Sequence, residues 1–320
     1  MDRCKLATIS VHHDPRLLAD LRSDFAYRNR FAVGSQIQRR FADILKSSRT
    51  SRRHLEELES LGYLATAPAR GLSPLFPKIY YVTGRGVQRI KERLKQQGKS
   101  WEATRVDRRG RDAREGYGAE KLLHEILTTE FLLNVWQEQQ RTPDLKVLTA
   151  QRRSIVRHPA FRLTTNGRTT RLIPDAMLLA RHGDAGMLCY FVEMDTGTMH
   201  KKQLSAKFRR YAAWANATAG REYLKNLYRQ YGAKEPRAAF RLLVIVKDRA
   251  NNDRRRLKQF SAVVKKLPEP LKKRLWLTSV ARIQAKAEET GILNPILWQI
   301  GGESTIADLS PFPKKILLET

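Results

Sequence analysis

Apolar positions in the first hundred residues recur at helical spacing. Leu17, Leu18, Leu21 and Phe25 form one stripe over about 16–30, and Ile37, Phe41 and Leu45 form a second after Ser35, a capping residue. Leu55, Leu58 and Leu61 make a third stripe, stopped by Gly62. Strand-length runs follow at Tyr63-Leu64 and from Lys78 to Val82, around a loop with Pro68, Gly71, Pro74 and Pro77. Thr83 then caps a helix through Ile90 and Leu94. From Gln96 to Gly118 apolar residues nearly vanish and Arg105, Arg108, Arg109, Arg111 and Arg114 accumulate, which marks a domain boundary.

Beyond that boundary the pattern alternates between helices and strands. Leu122, Leu123, Ile126, Leu127, Phe131 and Leu132 predict a helix over Glu120 to Gln139, with His124 and Glu125 beside the stripe. Strands are expected at Leu145 to Leu148, Ser154 to His158, Arg171 to Arg181 and Met187 to Asp195, with turns at Asn166-Gly167 and Gly183 to Gly186. Helices follow over about His200 to Ala217 and Arg221 to Tyr231. Phe240 to Val246 reads as a buried strand, Asp253 to Lys266 as a basic helix, Leu275 to Val280 as a strand, and the tail as irregular. This order predicts an α/β domain.

Charge changes the picture. The 320 residues carry 61 Lys and Arg against 32 Asp and Glu, a formal charge of +29, so a polyanion is the expected partner and nucleic acid the first candidate. Cys4 and Cys189 are the only cysteines, which excludes a disulfide framework and a CxxC zinc pair and suits a reducing cytoplasm. Met1 to His13 has no apolar core of a secretory signal, and the longest apolar runs are strand-length, so neither export nor a membrane partner is expected. There is no G-x-S-x-G elbow and no H-E-x-x-H helix, and Arg89 stands where a third glycine would complete a nucleotide loop after Gly84-Arg85-Gly86. His12-His13 is not the spaced histidine pair of rolling-circle relaxases, so Tyr80 and Tyr81 are not expected to nick DNA.

Within this basic chain, acids on apolar strands stand out. Two-residue alternation puts Cys189, Phe191, Glu193 and Asp195 on one side of their strand, and Asp175 follows Pro174 on a candidate neighbour. Three such carboxylates suit Mg2+ or Mn2+, with Asp175 and Glu193 as the metal ligands. Lys207 shares a helical face with Gln203, Tyr211 and Trp214 and can look back at the strand ends; Lys201 and Lys202 are alternatives. At the other end of the chain, Arg49, Ser51, Arg52 and Arg53 lie at the start of the third helix, and Arg70 and Lys78 on the loop and strand beyond it.

Helix, helix, helix, hairpin, helix over about 15–97 resembles a winged helix-turn-helix, through Leu55-x-x-Leu58, Gly62-Tyr63-Leu64 and Val82-Thr83-x-x-Gly86. The resemblance implies that Arg49, Ser51, Arg52 and Arg53 face the major groove and that Arg70 and Lys78 sit on the wing. Pro174-Asp175 with Glu193-Met194-Asp195 resembles the PD-(D/E)XK nuclease superfamily over about 117–280. In that superfamily the two acids bind metal and a lysine two residues after the second acid positions or activates water. Asp195 occupies that lysine's place here, and Lys207 is the natural substitute. The whole set, extended by Phe191-Val192 before Glu193, by Gly197-Thr198 and by Lys207-x-x-x-Tyr211, resembles the plasmid replication-relaxation family, with Thr196 where an arginine is more usual.

The expected architecture is therefore α+β with an α/β second half. A winged helix-turn-helix domain covers 1–98, a basic linker 99–116 and a restriction-endonuclease-like domain 117–320. The implied role is that of a cytoplasmic, DNA-binding accessory protein of a mobile element, with Asp175, Glu193, Asp195 and Lys207 as a Mg2+- or Mn2+-dependent endonuclease-like site. A non-catalytic regulator of transcription or replication on a degenerate nuclease fold is the alternative. Double-stranded DNA is the expected partner; other replication or mobilisation proteins and a second copy of the chain are further candidates.

Overall fold

Helical stripes and strand-length runs fold into a mixed α+β architecture in the computed structural model, which describes residues 31–67, 71–96, 98, 118–152, 158–165, 167–183, 186–247, 253–280 and 298–299. The helix expected over 16–30, Arg70, the basic stretch 99–116 and residues 154–157 of one expected strand lie outside the described residues. The chain divides into two units, 1–129 and 130–320.

In the first unit, β1 (Ala32–Val33) leads into α1 (Gly34–Arg40) and α2 (Ser48–Ser60), followed by β2 (Leu64–Thr66), β3 (Ile79–Val82) and α3 (Gly84–Gln96). Ser47 caps α2 by accepting from the Thr50 amide at 3.1 Å, a bond that satisfies one of the helix's orphan donors. Ser51, Leu55 and Leu58 follow at i, i+4 and i+7 as its buried stripe. The strands form an antiparallel sheet in the order β1-β3-β2. Thr83 joins strand to helix: its hydroxyl donates to the Gly62 carbonyl at 2.6 Å and accepts from the Gly86 amide at 3.1 Å. Gly86 has to be glycine, because a Cβ there would stand 2.3 Å from the Tyr63 carbonyl oxygen. The division between units falls inside α4 (Ala119–Arg141), whose Leu122 and Ile126 pack with Phe31, Val33 and Ile79. Buried Gln36 ties the same region together, accepting from the Val33 amide and donating to the Ile126 carbonyl at 3.0 Å.

The second unit is built on β4 (Leu145–Arg152), β5 (Arg162–Thr165), β6 (Arg168–Arg171), β7 (Ala176–His182), β8 (Gly186–Asp195), β9 (Phe240–Val246), β10 (Leu275–Ser279) and β11 (Trp298–Gln299). Helices α5 (Lys201–Asn216) and α6 (Thr218–Gln230) separate β8 from β9; α7 (Asp253–Val264) and α8 (Glu269–Lys272) separate β9 from β10. Among the described residues one sheet runs β11-β10-β9-β8-β7-β4, antiparallel from β4 to β8 and parallel from β8 to β10. The parallel centre explains the unbroken apolar run Leu242–Val246, since a central strand is covered on both faces. One sheet face, with Cys189, Phe191, Leu242 and Val244, packs against Leu204, Phe208, Tyr211 and Trp214 of α5. The Phe191 ring sits 5.0 Å from Trp214, and the Trp214 indole donates to the Ala160 carbonyl at 2.8 Å.

Two expectations need correction. The tail is not wholly irregular, because Trp298–Gln299 pairs antiparallel with β10. The continuous strand Arg171 to Arg181 is two strands on different partners. Arg168–Arg171 pairs with Arg162–Thr165 as a separate hairpin, and Ala176–His182 joins the main sheet. The break spans Leu172 to Asp175, where the Leu172 amide bonds the Phe161 carbonyl at 2.9 Å and Pro174 has no amide to donate. Apolar alternation reads through such a break because Leu172 is buried whichever partner it serves.

Candidate functional site

The β7–β8 register pairs Ala176 with Val192, so Asp175, one residue before β7, lies beside Glu193. Its amide donates to the Val192 carbonyl at 3.0 Å, and its Oδ2 accepts from the Met194 amide at 2.9 Å. Strand alternation brings Glu193 to the face of Cys189 and Phe191, the face that α5 covers. One turn apart on α5, Lys207 and Tyr211 both reach Glu193. The Lys207 ammonium contacts Glu193 Oε2 and stands 3.9 Å from Asp175 Oδ2. The Tyr211 hydroxyl donates to Glu193 Oε1 at 2.5 Å. Asp175, Glu193 and Tyr211 are buried, and the Lys207 side chain keeps 18% of its surface.

This grouping places two carboxyls around one ammonium. Burial pushes the Glu193 carboxyl up to about 8, and the Asp175 carboxyl adds to the rise while Lys207 opposes it. Burial alone would lower Lys207, but Glu193 and Asp175 outweigh it and hold the ammonium protonated above its ordinary range. Burial, then the neighbouring Glu193, keeps the Tyr211 hydroxyl neutral and therefore a donor. The Lys207 ammonium is thus shared by two carboxyls, of which Glu193 is the one whose burial favours its protonated form.

A divalent ion fits that description. Mg2+ is ordinarily held by one or two carboxylates with water completing its shell, and Asp175 with Glu193 supplies two hard oxygen donors from adjacent strands. Among the described residues no cluster of three or more Asp, Glu, His or Cys side chains could hold a metal.

Asp195 is engaged elsewhere. Arg256, on α7, grips it with two bonds, Nε to Oδ2 and Nη2 to Oδ1, both 2.6 Å. The same guanidinium donates to the Met199 carbonyl at 2.6 Å and to Gln259 Oε1 at 2.8 Å. The Gly197 amide adds a bond to Asp195 Oδ1 at 3.2 Å, in a turn whose φ of 82° favours glycine. So the structure brings Asp175, Glu193 and Lys207 together and turns Asp195 to Arg256. Lys201 and Lys202 are exposed at the start of α5, and the His200 amide before them bonds Gln203 Oε1 at 2.9 Å. In the sequence Tyr211 shares only a helical face and a motif with Lys207, and Arg256 has no role. Spacing signals Tyr211, one turn from Lys207, but nothing singles out Arg256 within Arg254-Arg255-Arg256.

In the first unit Arg49, Arg52 and Arg53 are exposed at the beginning of α2, while Ser51 is buried, because it stands one turn before Leu55 on the core stripe. Lys78 is exposed 3.9 Å from Glu59. No acid lies in the first turn of α2 and no base in its last, the reverse of what the helix dipole prefers.

Residues 25–226 match the model of a protein family described as replication-relaxation. No curated protein and no solved structure matches the chain. No helix among the described residues is long and apolar enough to cross a membrane.

Proposed function

The chain belongs to the replication-relaxation family, which assigns it to plasmid replication or another mobile-element process, and from that premise we propose that it binds DNA and carries a Mg2+- or Mn2+-dependent endonuclease-like site. One observation carries the reading. The Lys207 ammonium touches Glu193 and stands 3.9 Å from Asp175, so α5 supplies the lysine that Asp195 displaces from the strand.

In this reading Asp175 and Glu193 hold the ion, which when bound stabilises negative charge on a scissile phosphate and acidifies water. Tyr211 fixes Glu193 Oε1 and so aims Oε2 at the site. Lys207 balances the acids in the free protein and, from the same position, orients the attacking water and faces the phosphate. Glu193 gives up its proton as the ion is taken up.

The amino-terminal unit is the DNA reader, as a winged helix-turn-helix whose α2 enters the major groove. Arg49, Arg52 and Arg53 at the positive end of α2 repel one another and the helix dipole, and a phosphate backbone relieves both. The alternative, a non-catalytic regulator on a degenerate nuclease fold, is favoured by the closure of Asp195 onto Arg256, which leaves only two acids in the group.

Nicking of supercoiled plasmid by the purified chain with Mg2+ or Mn2+ separates the two. Conversion to open circle by the unmodified protein, lost in Asp175→Ala/Glu193→Ala and in Lys207→Ala, is the expected result. Equal nicking by the double variant would remove the endonuclease reading.

A further inference from the structure

The hairpin that interrupts the expected long strand carries an unusual face. Arg162 pairs directly with Arg171 across β5 and β6, and Thr164 with Thr169, so these four side chains share one side of the ribbon. All four are exposed, and the two threonine hydroxyls lie 3.2 Å apart. Leu163 faces the other way, into the core. Like charges directly opposite one another destabilise a strand pair. Among the described residues no acid answers either arginine. A four-residue face that offers two guanidinia and two hydroxyls, with no carboxylate, is suited to an anion from outside.

Its attachment says where that anion lies. The Leu172 amide closes the hairpin on the Phe161 carbonyl at 2.9 Å, and the Phe161 ring stacks 5.2 Å from Trp214 on α5. β5 itself packs against α5, the helix that bears Lys207. Arg171 and Asp175 are four residues apart, a reach of at most about 14 Å, or about four nucleotides along one strand. The ribbon is thus tied to Asp175 through the chain and to α5 through Phe161.

We infer that the Arg162–Arg171 and Thr164–Thr169 face is a second nucleic-acid contact, a clamp for the phosphodiester backbone flanking the segment at Asp175 and Glu193. Arginine forks and threonine hydroxyls are standard phosphate donors, and they set register without reading sequence. This rests on the DNA-binding reading and gives it a component outside the recognition helix.

The test is the salt dependence of duplex binding by the full chain, measured for the unmodified protein, Arg162→Gln/Arg171→Gln and Arg171→Glu. The double variant should lower the slope of log K against log salt by about two units, one for each phosphate that an arginine no longer neutralises. Arg171→Glu should weaken binding while leaving the thermal midpoint no lower than that of the unmodified chain, because Arg162 acquires a cross-strand partner. An unaltered slope in the glutamine pair would overturn the clamp and leave the DNA reading in place. No duplex binding by the unmodified chain would overturn both.

Discussion

Glu193 and Asp195 stand two residues apart on one face of β8, and both are buried, yet their surroundings differ in kind. Asp195 receives a bidentate guanidinium, whose remaining Nη1 donates to the Met199 carbonyl and to Gln259. Its charge is matched by another charge in a fixed geometry. Glu193 meets a single ammonium that it shares with Asp175, and a neutral tyrosine hydroxyl that donates to it. Burial, with the Asp175 carboxyl adding to it against Lys207, pushes its carboxyl up to about 8. A closed ion pair holds a loop and a helix in place; an under-compensated one has room for a cation. The same residue chemistry on the same strand therefore closes an ion pair at one position and, in the proposed reading, meets a metal ion at the other.

Changes that break the pairs should separate the two roles. Arg256→Ala strips a buried carboxylate of its partner and releases the Met199 carbonyl, so unfolding in urea should show a loss of about 3–5 kcal/mol. Lys207→Ala should cost less, on the order of 1–3 kcal/mol, because Glu193 can keep its proton instead of standing charged and alone. If the two losses are equal, Glu193 depends on its cation as much as Asp195 does and the contrast disappears.

Glu193 should also leave its mark on the pH dependence of stability. With a folded value near 8 against an ordinary 4.5, Glu193 contributes stability that is fully present below about 4.5 and is lost as pH rises through about 8. The metal-free chain should therefore lose thermal stability across that window. Glu193→Gln should flatten the profile, and Mg2+ or Mn2+ should recover stability at its alkaline end. The smallest effect is expected from Tyr211→Phe, about 1 kcal/mol from one missing hydrogen bond to Glu193. A melting curve that registers no change would mean that Oε1 finds another donor.

Much of the site is legible in the sequence, and the limits have physical reasons. Strand alternation alone puts Glu193 on the Phe191 face, and helical spacing alone turns Lys207 and Tyr211 the same way, because each rests on local geometry. The partner of Asp195 is not legible. Arg256 lies sixty-one residues on, among other arginines, and only the β8–β9 parallel pairing brings α7 over the end of β8. The Arg162–Arg171 hairpin is hidden for another reason. Thr164, Thr169 and Thr170 give no apolar alternation, so short polar strands read as loop until their register is seen. Ser51 looks like a surface hydroxyl between arginines, and its place on the Leu55 stripe outweighs that composition.

In the proposed function a divalent ion belongs with Asp175 and Glu193 and not with Asp195. Mn2+ titration of the full chain, followed by electron paramagnetic resonance of the free ion, tests it without requiring cleavage. Binding by the unmodified chain, loss in Asp175→Asn and in Glu193→Gln, and retention in Asp195→Asn are the expected results. Retention in the first two variants with loss in Asp195→Asn, or no Mn2+ bound by the unmodified chain, would contradict it.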